Sequence, residues 1–297
     1  MKISKSLQAD LALVVITFVW GSAFTIVKQS LVQISPILFV ALRFSIAAVL
    51  TVLFMPGQLR KISGKTLLRG LLLSVVLLGA FIFQTVGLRS TSPSHSAFIT
   101  SLCVLLVPFL GFLLYHSRLR GRTLAGVVLA TVGLFLLLVN MDDLRVRPGD
   151  LLTLVCAALF ALQIVLLGYF VSATDFRQLQ LLQMVGAALL GALLAPVLED
   201  PFVIWNSKLA VYLLFAGVLA TALAFYVQAS AQRLTTPNRA ALIFSLEPFF
   251  AALFAYWVTG QLLTTKEWIG GVLVLAGVLI SELQFGSRKP EEMKSSA

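Results

Sequence analysis

The stretch LLRGLLLSVVLLGAFIFQTVGL, residues 67–88, decides the fold: from 71 to 83 it is apolar on every side, interrupted by one serine and one glycine. A lipid-facing strand would alternate polar and apolar residues, and a helix on the surface of a soluble domain would carry a polar stripe. Neither pattern is present. A helix of this length rises about 33 Å at about 1.5 Å per residue, enough to cross a hydrocarbon core of about 30 Å. The run VVLATVGLFLLLV, residues 127–139, has the same character.

Outward from this stretch, nine further runs fill the chain, at 11–30, 36–55, 93–115, 123–139, 151–171, 178–198, 208–232, 237–258 and 267–285. With 59% hydrophobic and 11% charged residues, a chain of 297 residues has too few charges to cover a soluble globule. The expectation is an all-α integral membrane protein with ten transmembrane helices. Pro36, Pro93 and Pro237 open the second, fourth and ninth runs, where a missing N–H is harmless. Residues 1–10 and the run behind them resemble a signal peptide, but that run is too long and nine spans follow it. Cys103 and Cys156 lie mid-run and read as small hydrophobes, not as disulfide partners or metal ligands. The polar tail 286–297 reads as disordered cytoplasmic sequence.

Basic residues set the orientation. With the N-terminus inside, 13 of the 22 Lys and Arg fall on the inner side: Lys2, Lys5, Arg60, Lys61, Lys65, Arg118, Arg120, Arg122, Arg177, Arg233, Arg288, Lys289 and Lys294. Only 5 fall outside, namely Arg89, Arg145, Arg147, Lys208 and Lys266, while Lys28, Arg43, Arg69 and Arg239 lie in or near helices. Both termini are therefore expected in the cytoplasm. The net charge of +10 follows from this topology, and its scatter over short loops excludes nucleic-acid binding.

The chain also repeats itself. At an offset of 140, Asp10 pairs with Asp150, Ala47 and Ala48 with Ala187 and Ala188, and Pro56 with Pro196. Beyond the following loop the offset is 144, and 9 of 22 positions are identical between 81–102 and 225–246, including Gln84/Gln228, Arg89/Arg233, Thr91/Thr235, Pro93/Pro237 and Ser101/Ser245. Gly126 and Gly133 match Gly270 and Gly277 in the same register. Five helices per copy is an odd number, so the second copy must enter the membrane from the opposite side. Two inverted five-helix repeats are the expected architecture, and this duplication is typical of secondary transporters. The loop 140–150, with Pro148 and Gly149, is the natural junction.

These residues carry a resemblance. Trp20-Gly21, Arg43, the paired segments TSPSHSAF (91–98) and TTPNRAAL (235–242), and SLEPF (245–249) look like the EamA repeats of the drug/metabolite transporter (DMT) superfamily. The resemblance covers nearly the whole chain, with repeats at 1–145 and 146–285. It implies a ten-helix, multi-pass carrier of the inner (plasma) membrane that exports small metabolites or drugs through a cavity between the halves. Two departures stand out. The Gly-Glu pair of the family pattern is Gly260-Gln261 and His116-Ser117 here, and the proline of the first repeat is Val104, with Pro108 one turn on, which would shift the kink of the fourth helix.

The candidate site is a set of polar residues at membrane depth. Glu247 lies ten residues beyond Pro237, about 15 Å deep. A carboxylate there is costly unless protonated, paired or wetted. Proton carrier, cation-binding group and structural hydrogen-bond donor near the Pro248 kink are its three readings, and its repeat counterpart is Cys103. Arg43 lies about 10 Å deep, placed to clamp a carboxylate or phosphate, to pair with Glu247 or to snorkel outward. Gln84, Gln163, Gln183 and Gln228 suit either a polar substrate or interhelical hydrogen bonds, and Trp20 either a cavity wall or apolar packing. Lys28 reads as snorkelling, and Trp205, Trp257 and Trp268 as interface anchors. His95, at the mouth of the fourth helix, reads as a solvated neighbour of the cap. Gly126-x-x-x-Ala130 and Gly217-x-x-x-Thr221 mark close helix packing, within the chain or in a dimer.

No ATP-binding loop, metal-ligand spacing or catalytic signature occurs, so neither cofactor nor metal is expected. The reading is a secondary transporter, not an enzyme, that exports small polar metabolites such as amino acids. Its partners are the lipid bilayer, a small-molecule substrate and a coupled proton, while nothing in the sequence fixes the oligomeric state. Efflux of lipophilic cations attracted by Glu247 is the runner-up. A membrane-embedded enzyme or lipid-headgroup handling protein would need a clustered catalytic set that the sequence lacks. The topology has a direct check: alkaline phosphatase fused at Asp143 is expected to be active and at Arg120 inactive, and the reverse would overturn the repeat assignment too.

Overall fold

A computed structural model of the chain describes residues 5–59, 62–117, 121–138, 147–251, 253 and 264–282. Outside these lie the tail 286–297, most of the 140–150 junction, the end of the ninth run with Trp257, and Gly260-Gln261. Among the described residues every element is helical, apart from one antiparallel bridge between Ile34 and Val203. Seven helices are long and apolar enough to span a membrane, and two shorter apolar ones lie at 121–136 and 268–277.

The elements are α1 (Lys5–Ser30), α2 (Pro36–Phe54), α3 (Gly64–Gly87), α4 (Pro93–Ser101), α5 (Cys103–Tyr115), α6 (Gly121–Leu138), α7 (Pro148–Ala173), α8 (Phe176–Leu198), α9 (Ser207–Leu214), α10 (Ala224–Ala231), α11 (Pro237–Phe244) and α12 (Thr265–Glu282). Caps fix their ends: Ser63 accepts from Thr66 N–H, Asp175 from Arg177 N–H, Asn206 from Leu209 N–H and Thr236 from Arg239 N–H. At α2, where Ser35 makes no cap bond, Glu199 accepts from the Ile37 and Leu38 N–H groups instead. Lipid-facing residues such as Leu53, Phe54 and Leu193 are exposed, while Phe39, Phe44 and Phe225 are fully buried.

Two expected helices are interrupted. The fourth run breaks at Leu102, whose N–H bonds back to Ile99 O at 3.1 Å, so the chain tightens by one turn before α5 begins. The ninth breaks at the matching residues: α11 ends at Phe244, Leu246 N–H bonds to Ile243 O at 3.0 Å, and helix resumes at Glu247. The expected shift of the kink by Pro108 is therefore corrected. Pro108 lies within α5, and the break keeps its place at Ser101-Leu102, matching Ser245-Leu246. The eighth run contains the other irregularity, a π-helical segment Phe215–Leu223 between α9 and α10.

Glycines set the closest approaches. A Cβ on Gly133 would come 2.6 Å from Gly270 O and 2.7 Å from Val274 N, and one on Gly277 would come 2.6 Å from Gly126 O and 2.8 Å from Ala130 N. The α6–α12 contact is thus reciprocal at the offset of 144, and Gly126-x-x-x-Ala130 is occupied within the chain. Gly217 seats Ile46 of α2, and Gly21 lies against the backbone of Glu247 and Ala251. The remaining contacts set α2 on α8, α3 on α7 and α8, α1 on α10, and α5 on α11. This arrangement leaves a space between α1, α3, α7, α10 and the two broken helices.

Candidate functional site

That space is a narrow central cavity. Its walls are aromatic. Phe81 stands at the centre, with ring centroids 5.2 Å from Phe160, 5.3 Å from Phe44 and 5.9 Å from Phe225, and Trp20 packs on Phe225 and Phe244 at 5.3 and 5.1 Å. Six of the seven residues singled out from sequence line the cavity: Trp20, Arg43, Gln84, Gln163, Gln228 and Glu247.

Arg43 is 2% exposed and neither snorkels nor pairs with Glu247, which corrects both of those readings. Its Nε donates to Thr221 Oγ1 at 3.0 Å, Nη2 reaches Ala220 O at 3.5 Å, and the guanidinium lies over Phe81, 4.2 Å from the ring centroid. The π-helical segment makes this possible. Its wider turn opens the backbone, so that Thr221 Oγ1 donates to Ala216 O at 2.6 Å, five residues back, while Ala220 O accepts from Trp20 Nε1 at 2.9 Å. Trp20 is thus a hydrogen-bonding wall residue as well as a packed one.

The amides form a relay. Gln228 Nε2 donates to Gln163 Oε1 at 3.1 Å, and Gln163 Nε2 to Gln183 Oε1 at 3.4 Å, so Gln183 stands behind the wall and holds Gln163 in place. Gln84 Nε2 donates to Thr100 Oγ1 at 3.2 Å. Two buried acceptors on the cavity wall, Gln228 Oε1 and Ser101 Oγ, have no hydrogen-bond partner among the described residues. Glu247 likewise receives no hydrogen bond from them. It sits on the first turn of the resumed helix, where the dipole favours an anion.

Sequence reasoning missed several participants. Gln180, 1% exposed, donates to Ala222 O of the π-helical segment at 3.4 Å, Thr221 was read only as a packing residue, and Thr100 and the aromatic frame went unnoticed. The repeat offsets held the signal for the frame: Trp20 matches Phe160, Phe81 matches Phe225 and Arg43 matches Gln183. Lys28 has defined partners. Its Nζ donates to the Leu88, Arg89 and Thr91 carbonyls and ties the end of α1 to the end of α3. Trp205 and Trp268 are 62% and 49% exposed, as suits interface anchors.

The cavity extends along α1 from Trp20 to Val27 and along α3 from Phe81 to Leu88, toward the end marked by Lys28. Toward the opposite end the helices are in contact. There Arg239 Nη2 meets Asp10 Oδ2 at 2.6 Å, and a Cβ on Gly168 would come 2.5 Å from Pro237 Cγ.

A bundle of apolar spans around a largely apolar cavity with a few buried polar side chains on its wall defines a multi-pass membrane protein with a place for a solute. The profile of the EamA-like transporter family matches residues 7–139 and 147–283, and the chain belongs to that family. It is therefore a transporter and not an enzyme. An uncharacterized transporter of Archaeoglobus fulgidus is 33% identical over 280 residues, which cover 94% of this chain and 87% of that protein. A probable amino-acid metabolite efflux pump of Salmonella typhimurium is 25% identical over 291 residues, 94% of this chain and 96% of that one. A crystal structure at 19% identity aligns with a TM-score of 0.77 over 93% of this chain and 96% of its own, a likeness of fold.

The Arg43 anchorage is testable. A lysine keeps the charge but cannot hold Thr221 and Ala220 together while stacking on Phe81. Arg43→Lys is expected to destabilise the protein by about 1.5–3 kcal/mol, the usual worth of a charged hydrogen bond. The readout is a fall of several degrees in the melting temperature of the detergent-solubilised protein, and an unchanged value would contradict the anchorage.

Proposed function

We propose that this transporter exports small polar metabolites, amino acids among them, by alternating access at the central cavity, with proton coupling through Glu247. The observation that carries the reading is the cavity itself: an aromatic chamber at membrane depth with Arg43 and Glu247 apart from each other and acceptors at Ser101 and Gln228 left for a ligand. Trp20, Gln84, Gln163 and Gln228 complete the substrate site, with Gln183 behind them. A zwitterion meets both signs of charge there, and amides supply donors and acceptors for its polar groups. The name of the Salmonella typhimurium relative points to the same substrate class.

In this reading the protein has ten transmembrane helices in two inverted halves, 1–145 and 146–285, followed by a cytoplasmic tail. The reciprocal glycine contacts of α6 and α12 and the paired breaks at Ser101-Leu102 and Ser245-Leu246 support it. With both termini on the cytoplasmic face of the plasma membrane, the end marked by Asp10 and Arg239 faces the cytoplasm. Exchange between the two access states then requires the Asp10–Arg239 pair to part.

Efflux of lipophilic cations is the second reading, favoured by the aromatic walls and Glu247. Arg43, stacked on the central ring of that chamber, opposes it. Overexpressing cells separate the two: resistance to toxic amino-acid analogues supports the first and resistance to cationic dyes the second.

For the proton, Glu247→Gln keeps size and hydrogen-bonding capacity but cannot titrate. In proteoliposomes the variant is expected to exchange amino acid across the membrane while no longer accumulating it in response to a pH gradient. Undiminished pH-driven uptake would sink the carrier role.

A further inference from the structure

Away from the central cavity, a polar cleft lies between the α7–α8 turn and the last turns of α10. It is lined by Thr174, Asp175, Phe176 and Arg177 on one side and by Tyr226, Ser230 and Arg233 on the other. Two arginines share one ring here. Phe176 is 5% exposed, Arg233 lies over it at 4.2 Å from the centroid, and Arg177 lies at 5.6 Å. Arg233 is further fixed by its Nε, which donates to Ser230 O at 3.3 Å, and both its Nη groups remain available to a ligand. A third guanidinium stands close by, since Arg69 Nη1 donates to Thr174 Oγ1 at 2.6 Å.

Like charges gathered on one face repel unless an anion neutralises them. The acid of the cleft, Asp175, does not do so. Its Oδ1 accepts from the Arg177 N–H at 2.9 Å to cap α8, and no ion pair joins Asp175 to Arg177 or Arg233. An anion seated in the cleft would therefore interact favourably with both guanidiniums.

We propose that this cleft binds the phosphate of an anionic phospholipid headgroup, clamped by Arg177 and Arg233. Two guanidiniums lining one cleft suit a phosphodiester, which accepts paired N–H bonds. The cleft also lies where headgroups lie. α7 ends at Ala173, α8 begins at Phe176 and α10 ends at Ala231, so it sits at the border of three apolar spans. Exposed apolar side chains follow in sequence, Leu234 after Arg233 at 46% and Leu68 before Arg69 at 70%. Basic pockets between helices at the membrane surface bind anionic headgroups by this chemistry.

The site is independent of the transported substrate, and so is its test. Purified protein in a neutral detergent is titrated with short-chain phosphatidylglycerol, with phosphatidylcholine of equal acyl length and with inorganic phosphate, following the melting temperature. Phosphatidylglycerol is expected to stabilise at lower concentration than phosphatidylcholine, and inorganic phosphate to do nothing in the same range. Each arginine near a membrane surface contributes about fivefold in affinity, so Arg177→Gln combined with Arg233→Gln should raise the half-saturating phosphatidylglycerol concentration about 25-fold while leaving the phosphatidylcholine response alone. Equal responses to the two lipids in the unaltered protein would overturn the proposal, and that comparison stands even where the double variant fails to fold. A response to inorganic phosphate equal to that to phosphatidylglycerol would reassign the cleft to a free anion, and a double variant with unchanged selectivity would remove the arginines from it.

Discussion

A guanidinium buried at the centre of an apolar bundle needs polar partners supplied by the protein, and the arrangement around Arg43 follows from that constraint. It is 2% exposed, and no carboxylate among the described residues is paired with it. The protein answers by loosening a backbone. The π-helical segment Phe215–Leu223 presents Ala220 O to both Arg43 and Trp20, Ala222 O to Gln180, and Thr221 Oγ1 to Arg43. One irregular stretch thus joins α1, α2 and α8 through polar contacts, and the aromatic wall closes over the guanidinium on its other side.

The cavity built on this anchorage has a symmetric frame and asymmetric chemistry. Trp20 and Phe160, Phe81 and Phe225, and Gln84 and Gln228 are counterparts, and all six line the cavity. The charged positions differ between the copies: Arg43 faces Gln183 in the alignment, and Glu247 faces Cys103. Duplicated walls keep the shape while single substitutions give the space an acidic and a basic pole. The two ends also differ. Lys28 ties one end to the carbonyls of residues 88, 89 and 91, and its counterpart Gly168 lets α7 sit directly on Pro237 at the other.

Much of the fold was legible because bilayer physics writes it into long apolar runs, as in 67–88. Most helix ends fell within a few residues of the expected ones, with the start of α1 at Lys5 a larger miss. One helix break was legible, through the kink expected at Pro248 just past Leu246, and the other was not. Leu102 and Leu246 are ordinary residues in apolar runs, and Val104 lacks even the proline that marks the second copy. The π-helical segment was hidden for a related reason: FAGVLATAL reads as regular helix, and only the pull of Arg43, Trp20 and Gln180 on its carbonyls gives it away. Among candidate residues, intramembrane polarity found six that line the cavity and a seventh, Gln183, directly behind. It could not assign partners, because the reach of Lys28 and Arg43 depends on which helices lie beside them.

Alternating access at the cavity is the central claim, and thiol labelling from each side of the membrane tests it most directly. Ala23, buried on the cavity wall, is replaced by cysteine in a Cys103→Ser, Cys156→Ser background, and a membrane-impermeant thiol reagent is applied to right-side-out and inside-out vesicles. The account predicts reaction from both sides, with Asp10→Asn raising the rate in inside-out vesicles by freeing the end marked by Asp10 and Arg239. Labelling from one side alone, unchanged by Asp10→Asn, would contradict it.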